Sequence, residues 1–460
     1  MPLSRVLVAN RGEIAVRIVR ACKSLGLETV VAVSAADRDS MAARMADRAV
    51  CIGPARSSDS YLRQDLLLAT ALGTGCDAVH PGYGFLSENA GFAAACAENG
   101  VIFVGPSAEN IRQMGNKLIA RDIAREVGVP LAPGSPRITD FAQARGIAEE
   151  IGMPVLFKAA AGGGGRGIRI VRSAADLKPA FETASAEAQA AFGDNALFLE
   201  RYIDNARHVE VQILADGHGT VIHLGERDCS LQRRYQKVLE EAPAFGLDAA
   251  LRNEIRAAAV ALARHIGYCS AGTVEFIVDA DRGRFFFLEM NTRVQVEHPV
   301  TEAIAGIDIV AEQLRVAAGE PLSVTQEQVH LTGHAIECRI NAESPLRGFA
   351  PSPGRLTEWA PPEGDGLRID SHAHEGYVIP PFYDSLVGKL IVLGTDRSDA
   401  IERARRALGD FRVAGIETTI PFLEHVLAQE DFRAGRINTK WLEGVSEDYI
   451  ADHTQGEKRA

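Results

Sequence analysis

The chain reads as an α/β opening joined to an α+β remainder. Three observations predict this: a strand, helix and strand at the very start, a hairpin around residues 272–291 that carries carboxylates, and a proline-broken, β-rich stretch from Leu331 onward. At 460 residues the chain is too long for one core and predicts two to four domains. Hydrophobic and charged contents of 46% and 24% are those of a soluble globular protein.

A formal net charge of −12 argues against general nucleic-acid binding, which needs clustered Lys and Arg. A local basic pocket stays open. The seven cysteines, scattered from Cys22 to Cys338, form no C-x-x-C pair, as expected of reduced thiols in a cytoplasmic protein. The N-terminus enters a strand without the apolar core of a signal peptide, and no apolar run approaches the roughly 18 residues of a membrane span. The expectation is a cytoplasmic chain without a membrane segment.

In order, Arg5 to Ala9, Gly12 to Gly26 and Glu28 to Ser34 read as a parallel βαβ unit, with Ile14, Ile18 and Cys22 on one helical face. Its turn has a single glycine, so a dinucleotide fingerprint is absent. Asp77 to His80 is another strand, followed by Pro81-Gly82-Tyr83-Gly84, a loop placed where open α/β sheets bind ligands. Glu88 beyond it reads as a solvated loop charge, and Lys117, in the next helix, as a solvent-facing lysine. Gly105-Pro106 sets a boundary near residue 110, with Ser107 as a helix cap.

Pro154 to Lys158 and Ile168 to Arg172 are strands around Ala159 to Gly167, whose Gly162, Gly164 and Gly167 match G-x-G-x-x-G. The run enters a strand instead of a helix, which rejects a Rossmann site, and neither Walker A nor kinase signatures occur. What remains is a glycine hairpin beside Lys158 whose N–H groups can fold over phosphate oxygens, or a plain linker. Arg207 to Ala215 alternates His208, Glu210 and Gln212 with Val209, Val211 and Ile213: a lined cleft, or a half-exposed sheet face. Arg227, Arg233, Arg234 and Lys237 gather positive charge, suiting a small anionic substrate or a solvated surface.

The hairpin carries the sharpest signal. Were it symmetric, Glu275 would face Glu289 directly, with Cβ atoms ~4.5–5.5 Å apart and like charges opposed. Something positive must stand between them. Glu275, Glu289 and Asn291 form an all-oxygen set suited to Mg²⁺ or Mn²⁺. The plainer alternative is neutralisation by Arg293 or Arg284. Beyond it, the chain from 331 to 446 reads as an α+β subdomain, and 447–460 as a polar, disordered tail.

Ala9-Asn-Arg-Gly-Glu-Ile-Ala15, His80 to Asn89, the glycine loop, Glu226-Arg-Asp-Cys-Ser230 and Glu289 to His298 together resemble biotin carboxylase, over about residues 3–446. The resemblance implies an ATP-grasp fold: a Rossmann-like domain at 1–110, an ATP-grasp domain at 111–330 with a mobile glycine-rich lid at about 131–203, and a C-terminal domain at 331–446. It implies nucleotide contacts from Lys117, Lys158, Gly164, Gly165, His208 and Tyr235, with Glu200, Arg201, Tyr202 and Ile203 as the adenine edge. Glu275, Glu289 and Asn291 match Mg²⁺ ligands, and Lys237, Arg293 and Val296 the bicarbonate site. Glu297 resembles the general base and Arg339 the stabiliser of the biotin enolate.

Three features depart from the family pattern. Tyr235 stands where many members have His, Ala160 and Ala161 replace Ser and Gly at the loop entry, and the Ala280–Gly283 turn is one residue longer. The chain lacks a Met-Lys-Met biotinylation motif, so the expected partners are a separate biotin carboxyl carrier protein and a carboxyltransferase. The chain would then be the homodimeric biotin carboxylase component of an acetyl-CoA or other acyl-CoA carboxylase. Pyruvate-type carboxylases, other ATP-grasp ligases and a non-catalytic ATP-binding scaffold are the competing readings.

Overall fold

A computed structural model describes residues 3–159 and 169–457. The opening βαβ unit grows into a five-stranded parallel sheet, in spatial order Arg48–Gly53, Glu28–Ser34, Arg5–Val8, Ala78–His80 and Ile102–Phe103. Helix Gly12–Ser24 buries Ile14, Ile18 and Cys22 against it, as its 3.6-residue period requires. Because Val8 pairs with His80, the loops that follow these two strands lie side by side. Asn10 Nδ2 donates to the carbonyls of Pro81 and Tyr83 at 2.6 and 2.8 Å, fastening one loop to the other. Gly82 sits at φ +63°, and a Cβ there would come within 3.0 Å of the Asn10 amide, so glycine is required at this turn.

The segment expected to cover the nucleotide is a small antiparallel sheet, Arg169–Val171, Val155–Ala159 and Leu197–Arg201, under helices Phe141–Ile151 and Leu177–Phe192. It owns a separate core built around Ile138, Phe157, Phe181 and Leu199. The glycine hairpin, with Gly164 and Gly165, lies outside the described residues.

The rest is organised on one antiparallel sheet of eight strands: Arg284–Asn291, Ser270–Asp279, Ala206–Ala215, Val221–Arg233, Gln236–Ala242, His334–Asn341, Leu386–Gly394 and Leu367–Ser371. Sequence reading placed a boundary near 330, yet the sheet runs through it, since Leu239 pairs with Cys338 and Ala242 with Ala335. Arg339 therefore reaches the same cleft as Lys237. Helices Arg397–Asp410 and Ile420–Ala428 close the far half over Ile336, Leu390, Ile401, Leu408 and Phe422.

Of the tail expected to be disordered, 447–460, the described residues 447–457 are helical. They belong to helix Trp441–Glu457, where Tyr449, 5% exposed, packs edge-on against Phe422 and His425. The polar residues that suggested disorder coexist with this one aromatic anchor, which supplies the apolar burial.

Candidate functional site

Strand pairing brings the candidate residues together. The hairpin does oppose Glu275 to Glu289, although not by simple symmetry: the pairing nearest the turn is one step off, and a bulge at Leu288 restores the register before Glu289. Strand Ala206–Ala215 lies on the other side of Ser270–Asp279, with Glu210 opposite Glu275. Every residue of Ala206–Ala215 is buried, so its polar face is not half exposed: His208 lines the cavity, while Glu210 and Gln212 are buried against Arg227.

Lys237 is the hub. Its ammonium donates to Glu210 at 2.6 Å, to Glu275 at 3.2 Å and to Glu297 at 2.5 Å. The other oxygen of Glu297 accepts from Arg339 at 2.8 Å, and Arg339 also donates to Glu240 at 2.6 Å. Burial alone would raise the Glu297 carboxyl, but Lys237, Arg339 and Arg227 hold it well below the usual carboxylate range. Burial likewise opposes the Lys237 charge, and the surrounding carboxylates and Cys229 nevertheless push it well above its ordinary value.

Arg293 lies one step away. It donates to Glu88 and Asn291 at 2.9 Å and to Gln295 at 2.7 Å, while Gln295 and the Asn291 amide both donate to Glu275. No cation stands between Glu275 and Glu289 among the described residues; Glu275 pairs instead with Lys237, and the His208 Nε2 lies 3.0 Å from it. Neither Arg284, which is exposed, nor Arg293, which pairs with Glu88, fills that place. Glu88 stays exposed, as a loop charge should, yet it is not free: it pairs with Arg293 and accepts the Thr292 N–H at 3.2 Å.

Glu289 is left with its charge unmatched. Among the described residues its carboxylate has no hydrogen-bond partner, and burial and Glu275 raise it above the ordinary value, with Lys117 the main opposing charge. Burial lowers Lys117 in turn, and this lysine is half-buried. Further along, Lys158 donates to Glu200 at 2.6 Å, and Arg121 holds the other Glu200 oxygen. Lys158, Glu200, Arg201, Tyr202, Ile203, His208 and Tyr235 share one cavity of about 990 Å³ with Lys237, Glu275, Glu289, Asn291, Arg293, Val296, Glu297 and Arg339. Lys117 lines it too.

Of the basic cluster read from the sequence, only Lys237 faces this cavity. Arg227 is wholly buried and holds Glu210, Gln212, Thr273 and Thr301 from beneath. Arg233 lies over the Phe349 ring at 4.1 Å, and Arg234 forms the turn with Tyr235 at positive φ. Strand alternation and the tight turn separate four cations that are close in sequence.

Three family models match the chain in sequence: the biotin carboxylase N-terminal domain over residues 2–111, the carbamoyl-phosphate synthase L chain ATP-binding domain over 116–325, and the biotin carboxylase C-terminal domain over 337–444. Biotin carboxylase 1 of Bacillus subtilis is 53% identical over 442 residues, covering 96% of this chain and 98% of its own. The chain belongs to the biotin carboxylase family. A pyruvate carboxylase component from Methanothermobacter thermautotrophicus is 48% identical, covering 96% of this chain and 89% of its own. Among solved structures, the biotin carboxylase domain dimer of Hydrogenobacter thermophilus 2-oxoglutarate carboxylase, in complex with MgADP, ADP and bicarbonate, superposes with a TM-score of 0.92. It is 48% identical, and the match covers 97% of this chain and 99% of that one.

As a family member the chain is an ATP-dependent ligase with the ATP-grasp fold that carboxylates biotin and uses Mg²⁺. The residue types present suit the metal: Glu275, Glu289 and the Asn291 amide, whose oxygen accepts from Arg293, bring oxygen donors to one strand pair, and among the described residues Glu289 has no hydrogen-bond partner. Among the described residues no helix is long and apolar enough to cross a membrane. Arg121 and Gln295 contact candidate site residues without having been singled out in the sequence. Gln295 had a local signal, inside the Glu289–His298 stretch, whereas Arg121 meets Glu200 only through tertiary contact.

Proposed function

We propose that this chain carboxylates biotin carried on a separate biotin carboxyl carrier protein, through carboxyphosphate, with ATP and bicarbonate as co-substrates. The observation that carries the reading is Glu297 shared between Lys237 and Arg339 in one cavity with the nucleotide-side lysines. Arg293, Lys237 and the Val296 backbone bind bicarbonate, planar guanidinium matching a planar anion. Glu297 takes the bicarbonate proton as its oxygen attacks the γ-phosphorus and ADP departs. Carboxyphosphate then splits to CO₂ and phosphate, the phosphate takes the biotin N1′ proton, and the new N1′–C bond forms while Arg339 steadies the enolate oxygen.

Lys117, Lys158 and His208 face the phosphates, and Glu200 to Ile203 the adenine, with Tyr235 at the rim. Lys158 exchanges Glu200 for phosphate oxygens on binding. Mg²⁺, held by Glu275 and Glu289 with Asn291, would neutralise charge on the transferring phosphoryl group.

For the final acceptor the proposal is acetyl-CoA or another acyl-CoA, reached through a carboxyltransferase partner. Similarity to the Methanothermobacter pyruvate carboxylase component and to 2-oxoglutarate carboxylase supports a 2-oxo acid as the second reading. The Hydrogenobacter domain dimer supports a homodimer. The deciding experiment is ADP formation by the purified chain with Mg²⁺, with and without free biotin, in bicarbonate-stripped and resupplied buffer. Turnover that needs bicarbonate and rises with biotin is expected. ATP binding without response to either addition would return weight to another ligase or a scaffold.

A further inference from the structure

Lys389 lies on strand Leu386–Gly394 and has none of the roles above. Its side chain is wholly buried, yet its ammonium donates to the Val296 carbonyl at 2.7 Å and lies 3.1 Å from Glu13, in the first turn of helix Gly12–Ser24. Tyr83 donates its hydroxyl to the same Glu13 oxygen. A buried ion pair is weak support for stability, since apolar residues of the same volume often serve as well or better. What the pair does instead is hold one backbone carbonyl. Val296 stands between Gln295, which orients Arg293, and Glu297, so the direction of its carbonyl sets the peptide plane that leads into Glu297.

We infer that Lys389, with Glu13 as its counter-ion, is a positioning residue that fixes the Val296 carbonyl and thereby the bicarbonate-binding geometry of Arg293 and Glu297. Through the Lys389 ammonium, Glu13 of the first domain's helix and Tyr83 of its loop are tied to the Val296 carbonyl. The inference rests on the anion-site reading above and adds to it a residue that never touches bicarbonate.

The test uses the full chain with three variants: Lys389→Met, the neutral pair Glu13→Gln with Lys389→Met, and Arg293→Ala. ADP formation with free biotin is followed against bicarbonate and, separately, against ATP. Losing one charged hydrogen bond predicts a rise in KM for bicarbonate of about tenfold or more in both Lys389 variants, with KM for ATP within about twofold. The neutral pair removes Lys389 together with its ion-pair partner Glu13, and so guards against loss of folding in the single variant. A folded neutral pair with unchanged KM for bicarbonate overturns the inference while Arg293→Ala still lowers kcat/KM for bicarbonate. If Arg293→Ala leaves that parameter unchanged, the anion-site reading fails and the inference falls with it. If neither Lys389 variant folds by circular dichroism, Lys389 is a scaffold residue and the positioning role is refuted.

Discussion

Glu297→Gln is the perturbation with the best-defined outcome. The carboxylate is fully buried and joins Lys237 at 2.5 Å to Arg339 at 2.8 Å. Breaking a buried pair costs roughly 3–5 kcal/mol when the surviving charge is stranded. Here neither cation is stranded: Lys237 keeps Glu210 at 2.6 Å and Glu275 at 3.2 Å, and Arg339 keeps Glu240 at 2.6 Å. The stability loss should therefore stay near the ~1–3 kcal/mol of an altered charged hydrogen bond. The chemical loss is larger, because removing a general base costs ~10²- to 10⁴-fold, or about 3–5.5 kcal/mol in the barrier. The assay pairs denaturant unfolding with biotin-stimulated ADP formation at saturating ATP and bicarbonate, plus equilibrium ATP binding. A folded, ATP-binding variant whose kcat stays within about threefold of wild type would refute the role given to Glu297.

Glu289→Gln should act in opposite directions on stability and on activity. It relieves the opposed carboxylates and gains the apoprotein up to about 1 kcal/mol, while the Mg²⁺ concentration for half-maximal turnover rises about tenfold or more; a thermal scan and a Mg²⁺ titration check both, and a lowered apo Tm would count against the repulsion. His80 and His372 are held neutral, lowered by burial and by Arg17 and Arg11 respectively to about 3 from an ordinary 6.5. Their contribution is present above pH 6.5 and is lost as pH falls toward 3, because the unfolded chain takes up the protons first. His80→Gln should thus lose about 2 kcal/mol less stability than wild type between pH 7 and pH 5, and equal losses in denaturant melts would exclude this linkage. Tyr449→Ala should destabilise the chain by about 3 kcal/mol through lost aromatic packing on Phe422; an unaltered melt would mean that the last helix does not anchor the fold.

Local patterns in the sequence carried much of this protein. Period-two alternation located Ala206–Ala215, and the spacing of Glu275, Glu289 and Asn291 implied a metal-suited face, because strand geometry repeats every two residues whatever the surroundings. The resemblance in five short motifs implied the family before any coordinates. Other features depended on which distant strands pair. Whether Arg227 faces solvent, cavity or core cannot be read from its neighbours, since burial is set by the layer packed on its strand. The partner of Glu88, Arg293, lies about two hundred residues away, and the burial of Lys389 follows only from the layers packed on its strand. The tail reads as disordered because its composition is polar, whereas residues 447–457 continue a helix that Tyr449 packs against Phe422. Sequence periodicity determines which face a side chain takes, and only tertiary contact decides what that face meets.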